Sequence, residues 1–357
     1  MWSIVKRECK NYFKNPVFYI GAILVFLGVY MQLKPYLQLH YFADEKELAK
    51  AEEQFGNEGV EGGYIPCSKE ERYGIALKQI EQDLQSPFFG MSREEAEEVV
   101  ASMEHMSEKE AVAYLEQEYS FIIREGEGYF SYFDLKKGTL QEVNRYIEKK
   151  MEEACYTHYF AEKYADFFGL FMVFYAIILL AFLFWEDMKK NTYELLHTKP
   201  VSAVQYVLGK ICGGMAAMLA VTFIITAIFW QISLQWGRQA GFPVNALDIW
   251  KAVGMYNLPN LLVIVCVYGA VSLAFKSPLP AVPALILYAV YSNMGSRNEE
   301  GAYGYYGRPL AIMVRFPGSF LEITPPPMAA VNQAALLLFS VILTGVCILL
   351  WKRRKVW

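Results

Sequence analysis

Residues 184–210 read FWEDMKKNTYELLHTKPVSAVQYVLGK, a charged connection between two apolar segments that are each long enough to cross a bilayer. Charged residues follow Trp185 at once, and the pair Lys199 and Pro200 interrupts the chain before the second apolar segment begins. A polar connection between two spans lies at a membrane surface, where it can meet a soluble partner. The stretch therefore predicts a polytopic membrane protein with a stiff lever at one surface.

The charge of the chain is segregated along its length. With 55% hydrophobic residues and a mean hydropathy of +0.19, the 357-residue chain is too apolar for an ordinary soluble protein, although 20% of its residues are charged. Residues 34–165 hold 28 of the 37 acidic residues and 15 of the 33 basic residues. The composition therefore predicts one polar, acidic domain inserted into a membrane protein with basic flanks.

Six apolar segments reach the length of a transmembrane helix, because about 20 helical residues cross a hydrocarbon core of about 30 Å. None of the six contains Asp, Glu, Lys or Arg. They are residues 16–33, 167–185, 211–236, 252–275, 277–296 and 328–351. The predicted fold class is an all-α polytopic membrane protein of six transmembrane helices, with a mainly helical extracytoplasmic domain, residues 34–166, between the first two. We interpret the first segment as a retained anchor, since no small-x-small cleavage site precedes the polar domain.

The positions of lysine and arginine predict the orientation, because short basic loops stay in the cytoplasm. With the N-terminus inside, thirteen basic residues fall in cytoplasmic segments and five in short outer loops. We therefore expect a multi-pass protein of the plasma membrane with both termini in the cytoplasm. The remaining segments are an amphipathic interfacial lead helix (residues 1–15), the cytoplasmic connection (186–210), an extracytoplasmic re-entrant or interfacial segment (297–327) and a cytoplasmic tail (352–357).

Four capping boxes predict the helices of the polar domain, since a hydroxyl and a carboxylate three residues apart satisfy free backbone donors reciprocally. The pairs are Ser68/Glu71, Ser92/Glu95, Ser107/Glu110 and Thr139/Glu142. Neither Pro nor Gly follows Thr139 before Gly169, so we expect its helix to continue unbroken into the second span. Cys67 and Cys155 fall in this domain, where an oxidising compartment allows a disulfide; whether the two meet stays open.

Enzymatic motifs are absent from the sequence. The chain has no phosphate-binding Gly-x-x-x-x-Gly-Lys-Ser/Thr, no His-Glu-x-x-His and no Gly-x-Ser-x-Gly, and its four histidines lie far apart. We therefore expect no catalytic residue, no metal site and no cofactor in this chain, and no nucleic-acid partner. No ionisable residue lies well inside a predicted span, which disfavours ion-coupled transport through a charged relay.

The connection and the layout together resemble the membrane subunits of ABC-2-type ATP-binding-cassette (ABC) transporters. The similar features are an acidic start, a Thr-x-Glu-Leu-Leu core, a Pro-x-Ser turn and a Gly-Lys pair that opens the third span. In this sequence they are Glu186, Asp187, Thr192, Glu194, Leu195, Leu196, Pro200, Ser202, Gly209 and Lys210. The resemblance implies that the connection forms a coupling helix seated on a separate ATPase subunit, which binds ATP and Mg²⁺, and that a second permease subunit completes a homodimer or heterodimer.

The chemistry of the connection agrees with that role. Leu195 and Leu196 form an apolar tip, and Glu186, Asp187, Glu194 and Lys199 surround it with charge, as in the core and rim of a transient interface. The apolar, aromatic spans suggest an exported amphipathic cargo, such as a peptide, an antimicrobial or a lipid-like compound, and they contact membrane lipids. The alternative is a membrane receptor or scaffold that transports nothing and whose acidic outer domain binds a partner.

Overall fold

The computed structural model describes residues 1–57, 59–120, 134–181, 185–188, 201–294, 296–297, 303–304 and 307–353. The chain divides into two compact units. One, here called the apolar unit, comprises Met1–Gln38, Glu153–Gly295 and Tyr305–Trp357. The other, the polar unit, comprises Leu39–Glu152 and Ser296–Gly304.

The apolar unit is helical. Its helices are α1 (Trp2–Lys14), α2 (Pro16–Leu33), α8 (Tyr156–Leu180), α9 (Ala203–Gln239), α10 (Asp248–Phe275, with a π-helical turn at Val253–Asn257), α11 (Ala281–Asn293) and α12 (Ala329–Arg353). Among the described residues, five of these, α2, α8, α9, α10 and α12, are long and apolar enough to cross a membrane. The first predicted span, residues 16–33, coincides with α2. Asn15 caps α2, since its side chain accepts a hydrogen bond from the Val17 N–H at 3.0 Å.

Small residues and aromatic rings set the packing of the bundle. A Cβ atom added at Gly21 would lie 2.2 Å from the ring of Tyr175, and one added at Gly28 would lie 2.6 Å from the ring of Phe171. The absence of a side chain thus lets α2 approach α8 closely, as is common between membrane helices. Helices α10 and α12 also pack along their length, where the Cys266 thiol lies 3.6 Å from the Thr344 hydroxyl.

The predicted fifth span, residues 277–296, contains only the 13-residue helix α11. At 1.5 Å per residue, α11 is about 20 Å long, about 10 Å less than a hydrocarbon core. The chain that follows, residues 307–328, is here called the far segment. It has no regular structure, yet much of it is buried, including Ile312, Phe316 and Phe320. Whether this part of the chain is re-entrant in the bilayer stays a prediction.

Three helices of the apolar unit begin before their predicted spans, and α10 does so by four residues, at Asp248. Helix α8 begins at Tyr156 rather than at residue 167, and its first turns bury the charged residues Glu162, Lys163 and Asp166. Helix α9 begins at Ala203, within the predicted connection, and contains the buried Lys210. The predicted spans are free of charge, as expected, but the helices that contain them carry buried ions at their ends.

The polar unit is built of five helices and two short strand pairs among its described residues. The helices are α3 (Glu45–Phe55), α4 (Lys69–Leu84), α5 (Arg93–Met103), α6 (Glu108–Tyr119) and α7 (Leu140–Glu153). Strand β1 (Tyr64–Pro66) pairs antiparallel with β2 (Leu135–Lys137), with Tyr64 opposite Lys137. A further pair, β3 (Ser296–Arg297) and β4 (Tyr303–Gly304), is also antiparallel.

All four predicted capping boxes are confirmed. In each, the hydroxyl accepts a hydrogen bond from the backbone N–H of the glutamate, and the carboxylate accepts one from the N–H of the capping residue. Helices α4, α5 and α6 bury one shared apolar core that includes Ile80, Val99 and Leu115. The expectation of an unbroken helix from Thr139 into the second span is wrong, because α7 ends at Glu153 and α8 begins at Tyr156.

Candidate functional site

The residues predicted to meet an ATPase fall mainly outside the part of the chain that the structure describes. Thr192, Glu194, Leu195, Leu196, Lys199 and Pro200 all lie there. Glu186 and Asp187 belong to a 3₁₀ turn, Glu186–Met188, and of these two only the side chain of Asp187 is described. That side chain is buried, with 2% of its residue surface exposed.

Asp187 is buried because three side chains bind its carboxylate. The Arg7 Nη2 donates to Oδ1 at 2.9 Å and to Oδ2 at 3.2 Å. The Tyr206 hydroxyl donates to Oδ2 at 2.8 Å, and the Lys210 Nζ lies 2.5 Å from the same oxygen. One carboxylate at the start of the connection thus holds a residue of α1 and two residues of α9.

Glu8 completes the arrangement from the other side of Lys210. Its Oε1 accepts a hydrogen bond from Lys210 Nζ at 2.9 Å and lies 3.3 Å from Arg7 Nη2. The residues Arg7, Glu8, Asp187, Tyr206 and Lys210 are here called the ion-pair cluster. Its two cations and two anions balance, and both carboxylates and the ammonium are buried. Removing one member of such a buried network leaves a charge without compensation, which costs about 3–5 kcal/mol.

The sequence of α1 directs Glu8 toward α9. Val5, Glu8 and Tyr12 are the buried residues of α1 and recur at helical spacing, so Glu8 lies on the otherwise apolar face of an amphipathic helix. Two glycines of α9 receive that face. A Cβ at Gly209 would lie 3.0 Å from the Ile4 Cβ, and one at Gly213 would lie 2.6 Å from the Glu8 Cβ. The two helices are therefore in close contact where the charges meet.

The cluster also reaches the end of α12. The ring of Tyr206 stacks on the indole of Trp351 with centroids 3.8 Å apart and planes 20° apart. Just before Tyr206, α9 begins with a capping box in which Ser202 and Gln205 satisfy each other's backbone N–H groups. The first turns of α9 are thus fixed by a cap, a ring stack and a buried ion pair.

The electrostatics of the cluster keep its arginine charged. Burial acts to lower the pKa of Arg7, but the carboxylates of Asp187 and Glu8 raise it above its ordinary value. Arg7 is the partly exposed member of the cluster, with 43% of its side chain exposed. It therefore connects the buried charges to the surface of the unit.

The sequence analysis includes Asp187 and Lys210 only as parts of the connection, and their role at an ATPase interface stays a prediction. It assigns no role to Arg7, Glu8 or Tyr206. A signal for Glu8 was present, because one acidic residue interrupts the apolar face of α1. It becomes interpretable only when a buried cation is known to face it. Lys210 gives no such indication, because the sequence places it at the charged end of the connection.

Each charged side chain of the ion-pair cluster is paired with an opposite charge. Among the described residues, no three His, Cys, Asp or Glu side chains lie where they could hold a metal ion. The cysteines of the predicted disulfide, Cys67 and Cys155, are free thiols and belong to different units. Their bridge stays a prediction.

Comparison with known proteins assigns the chain to a family. The family described as "ABC-2 family transporter protein" matches residues 2–356, which is nearly the whole chain. Neither a curated protein nor a solved structure is significantly similar to it.

Proposed function

Because the chain belongs to the ABC-2 transporter family, we propose that it is the permease subunit of an ABC exporter and that a separate ATPase subunit binds and hydrolyses ATP with Mg²⁺. Members of this family are membrane transport components and normally work with an ABC ATPase subunit. The five long apolar helices fit a multi-pass membrane protein. In the plasma membrane, the end with α1 and the connection faces the cytoplasm, as the basic residues of those segments favour.

The ion-pair cluster is the observation that carries this proposal. The ATPase contacts the tip of the connection, which is formed by Leu195 and Leu196. Near its start, the connection contains a carboxylate, Asp187, that is bound to both α1 and α9. A force applied to the connection therefore acts on α1 and α9 together. Because buried, balanced ion pairs are costly to break, the three parts move as one body when the ATPase closes.

The cargo proposed is amphipathic. The described spans present aromatic and aliphatic side chains, while the buried charges of the apolar unit lie near helix ends. A second permease subunit, identical or related, faces this one across the path. The polar unit, placed outside the cell, is free to contact the cargo or an accessory protein.

Affinity capture tests the proposal. The tagged chain is recovered from detergent-solubilised membranes of its own cells, and ATP hydrolysis is measured in the eluate. We expect an ABC ATPase to accompany the native chain and to be lost from the double variant Leu195→Asp, Leu196→Asp. The matched control is Phe88→Asp, because Phe88 is an apolar residue of the polar unit that is 87% exposed.

Two results would overturn the proposal. If the leucine double variant recovers as much ATPase as the native chain, the connection does not form the interface. ATP hydrolysis by the purified chain alone would contradict the assignment of that reaction to a separate subunit. Recovery of a soluble partner by the polar unit, with no ATPase, would favour the receptor or scaffold interpretation.

A further inference from the structure

Helix α1 carries three lysines on the side opposite the face that packs on α9. They recur every four residues, so they lie together along the helix, away from the buried Val5, Glu8 and Tyr12. All three are exposed, and none has a carboxylate partner among the residues that the structure describes. They are Lys6, Lys10 and Lys14, here called the basic face.

The surroundings of the basic face add positive charge. Trp351 stacks on Tyr206 of the ion-pair cluster, so the end of α12 lies at the same end of the apolar unit as α1. Two exposed cations follow this tryptophan, Lys352 and Arg353. The carboxylates of the cluster, Glu8 and Asp187, are buried and already paired with cations. The described surface here is therefore positively charged.

The continuity of the chain relates the basic face to the bilayer. Helix α2 begins two residues after Lys14, and its 18 residues are about 27 Å long, close to the thickness of a hydrocarbon core, about 30 Å. Large apolar side chains of α2, including Ile20, Ile23 and Leu24, are exposed on the surface of the unit, as in a helix that faces lipid. Because α2 by itself is nearly long enough to fill the core, α1 lies at a boundary of the core, among lipid headgroups.

The aromatic residues of α1 fit the same position. Trp2 is 76% exposed and Phe13 is 43% exposed, and both lie beside the basic face on the helix. Tryptophan is enriched at membrane–water interfaces, where its ring meets both headgroups and acyl chains. A helix that exposes lysines and aromatic rings together binds a bilayer surface through apolar contact and through attraction to anionic lipids.

We propose that the basic face binds the headgroups of anionic phospholipids and so fixes α1 at the bilayer surface. The opposite face of α1 carries Glu8, which binds Lys210, and the neighbouring Arg7 binds Asp187. A lipid held by the basic face therefore restrains the helix that supplies two members of the ion-pair cluster. The proposal concerns a lipid site of this chain and does not depend on the cargo or on the ATPase.

Photolabelling in nanodiscs tests the site without the ATPase, so its failure is distinguishable from failure of the proposed function. The purified chain is reconstituted in phosphatidylcholine with trace phosphatidylglycerol or phosphatidylcholine that carries a diazirine near the glycerol group. Labelled α1 peptides are quantified by mass spectrometry. We expect about fivefold more label from phosphatidylglycerol, as one contact between a lysine and a headgroup predicts. At a salt concentration of about 1 M, which screens exposed charges beyond about 3 Å, the preference should disappear.

Charge variants assign the preference to the basic face. Changing Lys6, Lys10 and Lys14 together to glutamine should remove the preference, whereas changing them to arginine should keep it. Because these side chains are exposed and unpaired in the described structure, both variants should fold. The matched control changes three exposed lysines of the polar unit to glutamine and should leave the labelling of α1 unchanged. These are Lys46, Lys50 and Lys78.

Two results would overturn the proposal. One is a preference for phosphatidylglycerol that persists in the glutamine variant of α1. The other is equal labelling of native α1 by the two lipids. If either result is accompanied by loss of the ATPase from the glutamine variant in the affinity capture, the basic face contacts the ATPase instead of lipid.

Discussion

The two ends of the apolar unit use buried charge in different ways. At the near end, where α1 meets the start of α9 and the end of α12, the charges bind one another across close helix contacts. At the far end, where α8 begins and α12 starts, they bind irregular backbone. Lys163 Nζ donates to the carbonyls of Phe316 at 3.2 Å and Gly318 at 2.8 Å, and Asp166 pairs with Arg315.

This difference is one of architecture. The near end is a set of regular helices whose positions depend on one another through ion pairs. The far end contains the far segment, which has no regular structure. Charged side chains there bind backbone groups that a helix would otherwise satisfy. Gly318 shows how specific the backbone is, because its φ of +99° places an added Cβ 2.9 Å from the Glu322 carbonyl oxygen.

The largest expected effect follows from removing the central cation of the near end. Lys210→Met leaves Glu8 and Asp187 buried without the ammonium that lies between them, and we expect a loss of about 3–5 kcal/mol in stability. The measurement is thermal unfolding in detergent, followed by fluorescence-detected size exclusion. Lys276→Met, at an exposed lysine, is the control and should change little. An equal effect of both changes would show that the cluster does not stabilise the near end.

The corresponding change at the far end should cost less. Lys163→Met removes the donor from two carbonyls of the far segment, and an unsatisfied buried acceptor costs about 1–3 kcal/mol. We expect proteolysis in the far segment to accelerate, as measured by limited digestion and mass spectrometry, while the near end stays protected. Accelerated cleavage near Asp187 instead would show that the two ends do not open independently.

The close contact between α1 and α9 gives a smaller effect. Gly213→Ala places a methyl group 2.6 Å from the Glu8 Cβ, which costs about 1–3 kcal/mol, offset by up to about 1 kcal/mol of helix propensity. The same thermal assay should show a net loss. Gly345→Ala is the matched control, because a Cβ there meets nothing within 4 Å, and it should be neutral or stabilising. Stabilisation by both changes would contradict the close packing.

The smallest effect concerns the polar unit, where charges are exposed. Lys136 and the backbone N–H of Ser68 donate to Glu71 and lower its pKa to about 2. A lowered pKa stabilises the folded state above the unfolded value, about 4.5, and that contribution disappears as the pH falls toward 2. We expect Glu71→Gln to lower the unfolding temperature at pH 7 and to make no difference near pH 2. A difference that persists at the lower pH would exclude this cause.

Regular local patterns were predictable from the sequence. The apolar length of residues 16–33 determined α2, and hydroxyl–carboxylate spacing located the starts of α4, α5, α6 and α7, because these features depend on neighbours in the chain. The early start of α8 was not predictable. Its Glu162, Lys163 and Asp166 look like a solvated helix until Arg315 and the far-segment carbonyls, about 150 residues away, compensate them.

The same limit applies to the candidate site. Asp187 and Lys210 belong to one local motif, whereas Arg7 and Glu8 join them from α1, about 180 residues earlier in the chain. Sequence separation of that size leaves no periodic signal. Glu8 interrupts the buried face of α1 that also contains Val5 and Tyr12, but that interruption alone does not identify Lys210 as its partner.

The most direct test of the account asks whether α1 and α9 move as one body. Ile4→Cys with Gly209→Cys, in a chain that also carries Cys9→Ser and Cys212→Ser, places two thiols at the close contact of α1 and α9. The Ile4 Cβ lies 3.0 Å from a Cβ added at Gly209, so the two helices must separate by about 0.5 Å to reach the Cβ separation of a disulfide. ATP hydrolysis of the captured complex is compared before and after reduction. The account predicts equal rates, because the bridge joins parts that already move together. A rate that is lost on oxidation and restored by reduction would contradict it.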